Sequence, residues 1–236
     1  MLLIAVCLGL CSCFNEDDKN YQHNYHESSY FVSSVQKMEE LFPSQYALYW
    51  KLIKNTGKRH LEKVHSSNME DLTPLSFLVV SFKETENILD CFLDHIGKSY
   101  SKKKFEAIDS GNFTSADARL KLDEAIKDNL KGDQKFVIVK NIEKLSFSAA
   151  QLFMTYADEH NDVAAYPQST IFMSAVLPFP SSNSRRDDEK RVSDFFQSEV
   201  WLDQPKATND SKAALWTRIG DGLIVLKPES KNPCSS

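Results

Sequence analysis

The chain has 236 residues, of which 42% are hydrophobic, 11% aromatic and 26% charged, with only 7 glycines and 8 prolines. This composition excludes collagen-like, low-complexity and wholly disordered proteins, and the length suffices for one or two domains that need no disulfide framework to fold. The formal net charge of −5 argues against a nucleic-acid partner, because phosphate binding needs a basic surface.

The N-terminal residues 2–14 form an uninterrupted apolar run, LLIAVCLGLCSCF. A membrane-spanning helix needs about 20 such residues, so this run is too short to span by itself. Two interpretations stay open: a signal peptide without its basic start, or the far end of a truncated transmembrane helix. Both place the rest of the chain outside the cytosol. The sequons at Asn112 and Asn209 agree with a secretory-pathway lumen and predict two glycosylation sites.

Three of the five cysteines lie in that run, and no CxxC pair exists anywhere in the chain. The spacing therefore excludes the common zinc sites, and we predict no bound metal.

Residues 15–29 are polar and show no periodicity, so we predict a flexible stalk there. From residue 30 the apolar positions recur at helical spacing, first at Phe31, Val35, Met38 and Phe42. A second helix carries Leu48, Ile53 and Leu61, with an interruption expected at Gly57. Further helical patterns follow each predicted strand.

Five short runs are rich in β-branched and aromatic residues, and they predict strands at 76–82, 105–110, 135–140, 169–177 and 222–227. The run at 105–110 is the weakest of the five. Because the runs are mostly apolar and alternate with helices, they indicate a mostly parallel sheet covered by helices on both faces. The sequence thus predicts one α/β domain over residues 30–236.

Ligands of such folds bind at the carboxyl ends of the strands, and the first strand-to-helix turn usually holds phosphate. Here that turn, residues 81–87, contains no glycine and two glutamates, and no GxxxxGK[ST] or GxGxxG occurs in the chain. The third strand ends in Lys140-Asn141, where an ATPase would place acidic residues. Glu143 is more simply interpreted as an ordinary solvated glutamate than as a relic base. We therefore predict no nucleotide and no other cofactor.

The segment 210–220 predicts a short helix whose apolar stripe contains Leu215, Trp216 and Ile219. Arg218 projects about 60° off that stripe. Its simplest role is to stabilise the helix C-terminus, since a cation there complements the helix dipole. The position directly before the last strand is also where ring-forming AAA+ ATPases hold an arginine finger, so both roles stay open.

The chain resembles the torsin-interacting proteins, whose luminal domains activate the torsin AAA+ ATPases of the endoplasmic reticulum and nuclear envelope. The likeness covers about residues 30–234 and is carried by four stretches. These are LYWKLIKNTGKRHLEK (48–63), LVVSFKETENILDCFLDHIGKSY (78–100), KFVIVKNIEKL (135–145) and ALWTRIGDGLIVLKP (214–228).

The resemblance implies an AAA+-like large-subdomain fold without bound nucleotide, and an arginine finger at Arg218 that is exposed to the partner's ATP. It also implies a disulfide between Cys91 and Cys234, and a partner surface that includes Trp216. The expected function is a non-enzymatic activator of an ATP-bound torsin, attached to the membrane through the apolar N-terminal segment if the full-length helix is present. The alternatives are a degenerate NTPase or a passive luminal scaffold of the same fold.

Overall fold

In the computed structural model the described residues are 16–64, 72–101, 105–131, 135–157, 166–182, 184–201, 207–231 and 233–234. They form an α/β fold around a five-stranded sheet of order β2-β3-β4-β1-β5, and all of its strand pairs are parallel. The strands are β1 (Leu75–Phe82), β2 (Ile108–Asp109), β3 (Phe136–Lys140), β4 (Thr170–Leu177) and β5 (Leu223–Val225). The predicted fold class is confirmed.

Eight α-helices lie within the described residues. They are α1 (Glu16–Leu41), α2 (Ala47–Val64), α3 (Glu86–Tyr100), α4 (Ala118–Leu130), α5 (Phe147–Ala150), α6 (Phe153–Tyr156), α7 (Arg185–Ser198) and α8 (Asn209–Ile219). None of them is both long and apolar enough to cross a bilayer. The apolar run 2–14 and its three cysteines lie outside the described residues.

The centre of the sheet is the pair β1–β4, which runs in register over eight residues from Leu75 opposite Thr170 to Phe82 opposite Leu177. Almost every side chain of these two strands is buried. Continuous apolar runs are what a parallel sheet needs, because helices cover both of its faces. β5 lies at the edge of the sheet beside β1. The second strand is shorter than predicted and consists of two residues.

The predicted flexible stalk is wrong for residues 16–29, because they continue helix α1. No glycine or proline interrupts this segment, so its sequence is compatible with a continuous helix. The amphipathic half of α1 is as predicted, since Phe31, Val35, Met38 and Phe42 are all buried.

Helix α2 runs through Gly57 without the predicted interruption. A Cβ atom at this position would lie 2.5 Å from Cζ of Phe31 and 2.7 Å from the Tyr100 hydroxyl. Glycine is therefore required there for α1, α2 and α3 to pack closely rather than for a break in the helix. Leu48, expected on the apolar face of α2, is instead 52% exposed.

The segment that follows β5 is fastened to the start of α2. The side chain of Gln45 accepts a hydrogen bond from the backbone N–H of Lys227 and donates one to its carbonyl, both at 2.8 Å. The Glu229 carboxylate accepts from the Ser44 backbone N–H and from Gln45. A disulfide then joins Cys234 to Cys91 of α3, with their Cα atoms 6.0 Å apart, as the family resemblance implies.

Candidate functional site

The turn between β1 and α3 satisfies its polar groups within this chain. The Thr85 hydroxyl accepts from the Phe82 backbone N–H at 2.9 Å and donates back to the Phe82 carbonyl. The Glu84 carboxylate accepts from both the backbone N–H and the hydroxyl of Ser181. Burial raises the pKa of Glu84, but these hydrogen bonds outweigh it and hold the pKa below the usual value. A phosphate bound here would face the Phe82 amide, which already donates a hydrogen bond, and the negatively charged Glu84 carboxylate.

The loop after β4 covers this turn with aromatic side chains. The ring of Phe179 lies 5.9 Å from that of Phe82, and the Arg191 guanidinium stacks 4.5 Å above Phe179. Arg191 also donates to the Pro180 carbonyl at 2.7 Å. The crevice at the carboxyl ends of β1 and β4 is thus filled by this chain's own residues.

The tip of β3 holds a closed polar contact. Asn141 adopts the left-handed conformation with φ of 60°, which asparagine tolerates better than most residues. Its amide donates to Asp109 at 2.8 Å, and Gly111 donates its backbone N–H to the same oxygen. These hydrogen bonds, that of Asn141 first, lower the pKa of Asp109. No group of three metal-ligating side chains occurs in the described part of the chain.

Glu143 is not the ordinary solvated glutamate that the sequence suggests. It lies in the turn after β3, and its Oε2 atom is buried without a hydrogen-bond partner among the described residues. Burial raises the pKa of this carboxyl to about 7. The raised pKa is what a general base would have.

Helix α8 is held in place at both ends. The Thr208 hydroxyl accepts from the Ser211 backbone N–H at 3.2 Å and caps the N-terminus. At the other end, Gly222 lets β5 approach β1, because a Cβ atom there would lie 2.3 Å from the Ser76 carbonyl oxygen. Leu215 and Ile219 are fully buried. The last turn of α8 is therefore fixed relative to the N-terminal end of β1.

Arg218 lies in that last turn, and its side chain is partly buried rather than fully exposed as expected. Its backbone carbonyl accepts a long hydrogen bond from the Ser76 hydroxyl at 3.5 Å. Two positions along a helix turn through about 200°, so Arg218 and Trp216 lie on nearly opposite edges of α8. The structure therefore does not bring these two predicted partner-binding residues together.

Trp216 lines a surface groove between α2, α7 and the corner from α8 to β5. The groove has a volume of about 500 Å³, and we call it the Trp216 groove. Its residues are Leu48, Tyr49, Leu52, Arg185, Glu189, Lys190, Trp216, Gly220, Asp221 and Leu223. The α2 side of the groove was not predicted from the sequence, although Leu48 and Leu52 have the i, i+4 spacing that places two side chains on one helix face.

Both sequon asparagines are exposed. Asn112 ends a short 3-10 turn after β2, and Asn209 is the first residue of α8. Their positions leave room for a glycan on either side chain.

Comparison with known proteins agrees with this geometry. A sequence model of the lamina-associated polypeptide 1 AAA+ activator domain matches residues 17–234. Torsin-1A-interacting protein 1 of Pongo abelii is 21% identical over 214 residues, which cover 85% of this chain and 35% of that protein. The chain thus spans about a third of the length of this relative. Since the family match extends over nearly the whole chain, the protein belongs to the lamina-associated polypeptide 1 AAA+ activator domain family.

Proposed function

We propose that this chain is a non-enzymatic cofactor that binds a torsin-type AAA+ ATPase and stimulates its ATP hydrolysis. The proposal is supported by the family of activator domains to which the chain belongs and by the name of its relative, a torsin-interacting protein. The observation that carries the non-enzymatic part is the contact of Glu84 with Ser181 across the crevice where a nucleotide would bind.

Arg218 is the residue that would act on the partner. A guanidinium stays charged and presents a rigid fork of donors that suits phosphate oxygens. Beside an ATP-loaded subunit it would neutralise charge that develops on the transferred phosphoryl group. Because Arg218 is partly buried, including its Nε atom, and α8 is held at both ends, the side chain would lose little freedom on docking.

The setting that fits this role is the lumen of the endoplasmic reticulum or the perinuclear space. The disulfide agrees with an oxidising compartment, and glycans on Asn112 and Asn209 would agree with it too. The apolar N-terminal segment would provide the membrane attachment.

The test is phosphate release by a purified torsin with and without this chain, using wild type, Arg218→Lys and Arg218→Ala. We expect Arg218→Ala to lose nearly all stimulation, since such fingers contribute about 10³–10⁵ in rate in GTPases. Binding measured separately should persist. Full stimulation by Arg218→Ala would show that Arg218 is not an arginine finger and only stabilises the C-terminus of α8.

The buried Oε2 atom of Glu143, which has no hydrogen-bond partner among the described residues, and the raised pKa of this carboxyl favour a second candidate, a degenerate NTPase. Phosphate release by the chain alone, abolished by Glu143→Gln, would establish that candidate and overturn the non-enzymatic one. A passive scaffold would bind torsin without changing its rate.

A further inference from the structure

We propose that the Trp216 groove is a second contact surface for the AAA+ partner and receives an apolar side chain flanked by a basic one. This inference rests on the proposed function and adds to it a site that is separate from Arg218. The two lie on nearly opposite edges of α8, so each can be changed without touching the other.

The wall of the groove has the features of an interface anchor. Leu48 is 52% exposed although it is a large apolar residue, and Leu52 and Leu223 beside it are only partly buried. The Trp216 ring is stacked on Phe196 at 5.7 Å, so it is already immobilised. Rigid, partly exposed aromatic rings beside aliphatic side chains are where binding energy concentrates in protein interfaces.

The edge of the sheet also reaches this groove. Gln45, just before α2, hydrogen-bonds to the backbone of Lys227, two residues after the end of β5, and so covers the chain there. At Leu223 the edge strand instead lines the groove. A partner segment placed there would cover the remaining part of an otherwise protected edge.

The charges at the rim select the kind of partner. Arg185 is bound by Glu189 at 2.6 Å, and Lys190 by Asp194 at 2.5 Å. Asp221 is exposed and makes no ion pair within the described residues. The rim charge without an ion-pair partner among the described residues is therefore the negative charge of Asp221, which a basic group of the partner would complement. A second copy fits less well, because in a two-fold contact this rim would meet itself with its cations already paired.

The experiment compares Leu48→Lys with Leu120→Lys in the full chain. Both leucines are exposed on helices, at 52% and 59%, but Leu120 lies on α4 and not in the groove. Stimulation of torsin phosphate release is titrated with each variant. We expect Leu48→Lys to raise the half-maximal activator concentration about tenfold with an unchanged maximum, as for loss of one anchor residue. Leu120→Lys should behave as wild type, and Arg218→Ala should lose the maximum instead.

The outcomes separate this inference from the proposed function. If wild type stimulates and both leucine variants match it, the groove is not a contact and only this inference fails. If wild type neither binds nor stimulates torsin, the proposed function fails as well. A third outcome is that wild type sediments as a dimer, Leu48→Lys sediments as a monomer, and the torsin titrations are unchanged. The groove would then bind a second copy of the chain, and the inference would be overturned.

Discussion

Removing the bond between Cys91 and Cys234 should cost this protein a large part of its stability. The bridge closes a loop with a sequence separation of 143 residues. In the chain-entropy model a loop of that length constrains the unfolded chain by about 5 kcal/mol, which is comparable to the total stability of many domains.

The native fold itself should change little in the variant, because Gln45 and Glu229 still hold the segment after β5. The effect is therefore expected in the free energy of unfolding and not in the position of α8. The double variant Cys91→Ala/Cys234→Ala should show a much lower urea midpoint than wild type, with retained torsin stimulation below the transition.

The control is a reductant, which should lower the urea midpoint of wild type and leave that of the double variant unchanged. Equal midpoints for oxidised wild type and the double variant would refute the reasoning, since the loop would then contribute no constraint. Loss of stimulation in the still-folded variant would show that the disulfide, and not the Gln45 contacts, positions α8.

The remaining predictions concern pH and packing. Burial lowers the pKa of His60 to about 4, so the unfolded chain takes up its proton first as the pH falls. In urea titrations, the free energy of unfolding of wild type should fall by up to about 3 kcal/mol relative to His60→Gln between pH 6.5 and 4. An equal change with pH in both proteins would contradict this. Glu143 has the opposite sign: its pKa is raised to about 7, so the free energy of unfolding of wild type should fall by up to about 3 kcal/mol relative to Glu143→Gln between pH 4.5 and 7. An unchanged difference across that window would argue that the carboxyl ionises freely. Gly222→Ala should destabilise by about 1–3 kcal/mol because its Cβ would overlap the Ser76 carbonyl at 2.3 Å. Gly111→Ala, with its nearest atom at 3.3 Å, is the matched control, and equal urea midpoints would refute the argument.

The sequence by itself determined the fold class, and it predicted that the turn after β1 does not bind a nucleotide. The stretches 77–80 and 136–139 are apolar at every position, and a strand covered on both faces needs that pattern. The turn after β1 contains no glycine, and this predicted a poor phosphate site because backbone amides cannot easily wrap a phosphate without glycine. Cys91 and Cys234 were paired only through the family resemblance, since spacing alone does not give connectivity.

Tertiary structure decided how the site residues are placed. Glu84 and Ser181 are 97 residues apart in the chain, and nothing in either segment indicates that they close one crevice. The burial of Glu143 likewise depends on neighbouring elements rather than on its own neighbours in sequence. Helical periodicity placed Trp216 in the apolar stripe, but it is the packing of α2 and α7 around α8 that leaves Trp216 in a groove away from Arg218. Local patterns report which face is apolar, whereas contacts between distant segments determine what that face meets.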